Sequence, residues 1–157
     1  MRPHPMASPN PAAWWLGATP SHHGVTMSLN HHGLPSRVPV IAELGRVFGD
    51  PHTPEADKLP ALELLVQDHA DLDEVEAHSA LWAISQLSRC DAARDALLSC
   101  ADIWLTHADT APLWLDCYSV VCGMRIVPGA AHIFARLHRL AQRDTELAAR
   151  LQAFSAT

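Results

Sequence analysis

With 157 residues, 48% of them apolar and 18% charged, the chain fits one globular domain and is too apolar for wholesale disorder. A net charge of −6 argues against generic nucleic-acid binding driven by phosphate neutralisation. The most apolar window, 113–127, is interrupted by Asp116 and Arg125 and is too short to span a bilayer.

Residues 1–37 contain no Asp or Glu, yet they hold six of the 12 prolines and five of the 11 histidines. Each proline removes a backbone donor and restricts the residue before it, so this stretch is predicted to be an irregular arm. Trp14 and Trp15 are costly to leave in water and are expected to dock on the domain or on a partner. No apolar run precedes a small-residue cleavage site, which predicts a cytoplasmic protein. Ten of the 11 Lys and Arg residues are Arg, which suggests a high-GC, bacterial or phage source.

Residues 38–157 are predicted to form an all-α domain. The apolar spacing and stop signals place six helices near 38–48, 54–70, 74–89, 92–107, 111–126 and 129–154. Thr53 before Pro54 reads as an N-cap with proline in the first turn. Asp73 with Glu76 three residues on reads as a capping box, and Asp91 and Thr110 read as further caps. Asp144 or Thr145 is a candidate break in the last helix. Cys90, Cys100, Cys117 and Cys122 fall on these helices without the short paired gaps of a zinc site, so reduced thiols are expected.

The stretch from Ala80 to Ser88 resembles the long core helix of armadillo and HEAT repeats. A shift of 36 residues sets Trp82 on Tyr118, Ile84 on Val120, Leu97 on Ile133, Leu98 on Phe134 and Ala101 on Leu137. The resemblance covers about 74–141, and residue identities match poorly back through 38–70. It implies stacked helical hairpins and a binding scaffold without catalytic residues of its own.

Five groups of residues are candidates for function. His22, His23, His31 and His32 could converge on zinc, nickel or copper, but the arm has no carboxylate to orient the rings. Asp68, His69, Asp71, Asp73, Glu74, Glu76 and His78 crowd oxygen ligands without an EF-hand's spacing, and read as residues that end one helix and cap the next, facing water. Asp116 lies on a helix that is apolar almost all round, so it is a candidate buried carboxylate, with an Arg or neighbouring amides as its partner. His132, Arg136, Arg139, Arg143 and Arg150 lie within about 40° of one line on a continuous helix. Trp82 groups with His78, Ser79 and Gln86, away from the Ala77, Leu81, Ile84 face. It packs on a neighbouring helix or, if exposed, forms a binding hot spot.

No nucleophile elbow, phosphate-binding glycine loop, HExxH or CxxC is present, and neither catalytic residues nor a cofactor is expected. The preferred reading is a protein-binding module, such as an adaptor, specific chaperone, inhibitor or immunity-type protein. It would use Arg136, Arg139, Arg143, His132, Trp82, Trp14 and Trp15 against an acidic patch, or form a homodimer. The alternatives are a small metal-dependent enzyme or metal-binding protein using the N-terminal histidines, and nucleic-acid binding through the last helix.

Overall fold

The computed structural model describes residues 28–156. Trp14, Trp15, His22 and His23 lie outside the described residues. Among the described residues seven α-helices follow one another: α1 (Val38–Gly49), α2 (Glu55–Gln67), α3 (Glu74–Ser85), α4 (Asp91–Trp104), α5 (Ala111–Cys122), α6 (Ala131–Ala141) and α7 (Thr145–Ser155). Single 3-10 turns at His69–Asp71 and Ala108–Thr110 precede α3 and α5. Among the described residues there is no strand, only an isolated bridge between Leu29 and Pro35.

The segment predicted as one last helix is two. Asp144 breaks it because its side chain accepts from the amides of Glu146 (3.0 Å) and Leu147 (3.1 Å), which needs an extended backbone at Asp144. Asp73 and Glu76 form the predicted capping box at α3. Three other expected caps differ. Pro54 occupies the cap position of α2, and Thr53 bonds to the Asp50 carboxylate instead, at 3.0 Å. Asp91 is the first residue of α4, whose cap residue Cys90 makes no side-chain capping bond; its thiol donates to the Glu55 carboxylate instead, at 3.7 Å. Thr110 stands before α5, but its hydroxyl donates backwards to the carbonyls of Trp104 and His107, because its own backbone is already helical.

Helices alternate between two layers. In one, α1 packs on α3, α3 on α5, and α5 on α7; in the other, α2 packs on α4 and α4 on α6. Positions recur every 36 residues in the second layer: Ala61, Leu97 and Ile133; Leu62, Leu98 and Phe134; Leu65, Ala101 and Leu137. In the first layer, Ile41, Leu44, Gly45 and Phe48 of α1 correspond at the same interval to Ala77, Ala80, Leu81 and Ile84, all buried. The next interval is 37, pairing Ala77, Ala80, Leu81 and Ile84 with Trp114, Cys117, Tyr118 and Val121. The pairing of Trp82 with Tyr118 and Ile84 with Val120 is therefore one residue out of register: Trp82 and Val120 are exposed, whereas Ile84 and Tyr118 are buried. Residue identity fails through 38–70 although burial repeats there, because facing positions trade size: glycine at 45, leucine at 81, tyrosine at 118.

Aromatic rings of the core gather where α5, α6 and α7 meet. Trp114 stacks on Tyr118 with ring centroids 5.0 Å apart, Tyr118 meets Phe134 edge-on at 5.4 Å, and Phe134 stacks on Phe154 at 5.3 Å. The polar atoms of these aromatics are satisfied inside the fold. The Trp114 indole donates to the Leu97 carbonyl (3.3 Å), the Trp104 indole to that of His69 (3.4 Å), and the Tyr118 hydroxyl accepts from the Val127 amide (3.1 Å). The Cys117 thiol donates to the Leu81 carbonyl at 3.2 Å and ties α5 to α3.

Candidate functional site

Within the acidic stretch that leads into α3, Asp71 faces water as expected, but two carboxylates do not. Asp73 and Glu76 are buried, Glu76 completely, and they hold the incoming chain in place. The Glu76 carboxylate accepts from the Asn30 side-chain amide (2.8 Å), the Arg37 backbone amide (2.7 Å) and the Asp73 amide (3.0 Å). Asp73 accepts from the amides of Glu76 (2.9 Å) and His31 (3.0 Å). Asn30 also accepts from the amides of His32 and Leu34, both at 2.9 Å, and so closes the turn at Gly33 on itself. Arg37 reaches Asp68 at 3.2 Å, and His31 reaches Glu74 at 2.9 Å. Burial alone would raise the Asp73 carboxyl, but the amides of Glu76, His31 and Val75 and the nearby His31 ring outweigh it and hold it below the usual carboxylate range. The expectation that this cluster caps a helix while facing water is corrected on one point. It caps, but it does so from inside, because a carboxylate with three donors can be buried.

Of the two histidine doublets, only His31 and His32 lie among the described residues. His31 is engaged with Glu74, and His32 is exposed, bonded through its backbone. Among the described residues, no three His, Cys, Asp or Glu side chains gather as metal ligands.

Trp82 is 44% exposed, and its indole lies against α1. A Cβ placed on Gly45 would fall 2.1 Å from the ring's Cζ3, so only glycine lets the indole rest directly on that backbone. The ring is fixed at one side and open at the other. Val75, about two turns away along the same side of α3, is 54% exposed, and Val120 and Met124 at the end of α5 are exposed as well. A rigid, half-desolvated indole can be covered by a partner at little entropic cost.

Asp116 is not buried. Its side chain is 46% exposed and pairs with Arg150 of α7 at 2.5 Å, while Arg150 also reaches Glu146 at 3.1 Å. The helix is apolar nearly all round, yet Asp116 falls where α5 meets the exposed side of α7. This pairing removes Arg150 from the basic row, as does the break at Asp144. Arg136 is engaged too, with the carbonyl (3.0 Å) and carboxylate (3.4 Å) of Asp102 on α4. His132 and Arg139 remain exposed on α6, with Arg143 just beyond its end.

All four cysteines are free thiols. Burial pushes Cys100 and Cys117 up to about 12, which makes them inert. Cys90 and Cys122 are partly exposed and line a cleft between the α3–α4 turn and the end of α5. That cleft also carries Arg89, Arg94 and Arg125, a second basic cluster that periodicity on one helix could not reveal. Comparison with family models, with curated proteins and with solved structures gives no match for this chain.

Proposed function

We propose that this protein is a non-catalytic binding scaffold that acts by occupying a partner protein, in the manner of armadillo- and HEAT-like helical arrays. The observation that carries the reading is the Trp82 indole, seated on Gly45 and partly open, with exposed Val75 about two turns away along the same side of α3. An aromatic anchor of this kind, fixed before binding, suits the centre of a protein interface. The alternating two-layer packing supports the same reading, since stacked helical pairs present broad continuous surfaces. His132, Arg139 and Arg143 belong to the other layer or its edge and would steer an acidic partner toward the molecule without forming the contact's centre. Arg136, held by Asp102, would contribute less.

The test is affinity capture from the native host with three baits: the unaltered chain, Trp82→Ala, and Arg139→Glu with Arg143→Glu. One protein enriched by the unaltered chain and lost with Trp82→Ala, while both variants melt normally, supports the proposal. A partner recovered equally by the unaltered chain and Trp82→Ala overturns the assignment of the surface. Stoichiometric metal on tag-free protein, lost when His22, His23, His31 and His32 become Ala, would favour a metal-dependent protein instead.

A further inference from the structure

We infer that the cleft between the α3–α4 turn and the end of α5 binds a small phosphate-bearing molecule through Arg89 and Arg125. The cleft has a volume of about 460 Å³, within the range of small-ligand sites. Three arginines line it. Arg94 is already committed to Asp91 (3.4 Å) and Asp95 (3.1 Å), whereas Arg89 and Arg125 make no ion pair or hydrogen bond among the described residues. Asp91 is the one carboxylate in the lining, and it is spent on Arg94. Several cations facing one concavity with too few anions leave room for a bound negative group, and Arg forks match phosphate oxygens in pairs.

The backbone points the same way. Arg89 has φ +59°, in the left-handed region where glycine is at ease and a side chain is strained. An arginine held there is placed at the rim at a conformational cost. The α4 helix opens into the same cleft without a side-chain cap, so its first-turn amides add to the positive field. Val121 and Val127 supply an apolar wall for the rest of the ligand. The lining includes none of Trp82, Gly45 and Val75, so its failure would leave the partner-binding reading standing.

The test uses the full chain, titrated with inorganic phosphate and pyrophosphate at fixed ionic strength and followed by calorimetry and thermal melting. Saturable binding is expected, tighter for pyrophosphate. Affinity should fall at least about tenfold in the double variant Arg89→Ala, Arg125→Ala and stay unchanged in Arg139→Ala, Arg143→Ala. Cys90 and Cys122 serve as built-in reporters: pyrophosphate should slow their labelling by a dianionic aromatic disulfide. Should the double variant fail to fold, Arg89→Gly with Arg125→Gln keeps the backbone conformation and removes the same charges. No saturable binding overturns the proposal, as does equal loss in both double variants, which would mean general screening. Binding of a Glu-rich peptide with no binding of pyrophosphate also overturns it, and would make the cleft part of a protein interface.

Discussion

Replacing Glu76 tests how far one buried carboxylate holds the incoming chain to the helical layers. In Glu76→Ala, the Asn30 side chain and the amides of Arg37 and Asp73 all lose their acceptor. Hydrogen bonds to a charged group contribute about 1.5–3 kcal/mol each, and a stranded buried donor costs about 1–3 kcal/mol. Three such losses would sum to more than ~4 kcal/mol if nothing moved. Residues 28–37 can instead lift away and let water in, which limits the loss to the free energy of docking that segment. A fall of about 3 kcal/mol in urea unfolding is therefore expected. It should come with fast amide exchange at His31, His32, Leu34 and Arg37 while the α5–α7 core stays protected. Glu76→Gln keeps the shape but turns a donor toward one of the three donors, and should cost about half as much. A loss under about 1 kcal/mol in Glu76→Ala, with the Arg37 amide still protected, would refute the view that this carboxylate is the anchor.

Gly45→Ala should expel the Trp82 ring, since the new Cβ would fall 2.1 Å from it, at a cost of about 1–3 kcal/mol and with a red-shifted Trp emission. The same change in a Trp82→Ala background should be close to neutral, and a full cost there would show that the clash lies elsewhere. Because the folded Asp73 carboxyl is held below its ordinary 3.8, its stabilisation is complete above that pH and is lost as pH falls through the lowered value. Acid unfolding followed by circular dichroism should thus show less loss below pH 3.8 for Asp73→Asn, which still caps α3; identical profiles would contradict this. Mass spectrometry after thiol labelling at pH 8 should find adducts on Cys90 and Cys122 but not on Cys100 and Cys117, whose thiols are pushed up to about 12, until urea unfolds the chain.

Local chemistry made much of the fold legible in the sequence. Apolar spacing, the Asp73–Glu76 box and the breaks at Gly49-Asp50-Pro51 and Val127-Pro128-Gly129 act within a few residues, so helix positions can be read from local chemistry alone. The 36-residue interval across the second layer was equally visible at Leu97 and Ile133, because the same packing slot selects apolar residues twice. Other features were decided only by the folded chain. Asp116 and Arg150 meet across 34 positions, and which face of α5 meets α7 is a property of packing, not of α5's own pattern. Asp73 and Glu76 looked solvated because their burial depends on Asn30 and the Arg37 amide arriving from 39 to 46 residues away. The Arg89, Arg94 and Arg125 cleft has no periodic signature, since two loops and a helix start bring its charges together. Helix by helix, the sequence specifies what each segment is. Which charges are buried, paired or left open follows from how the layers stack, because only then is each carboxylate or guanidinium supplied with partners or deprived of water.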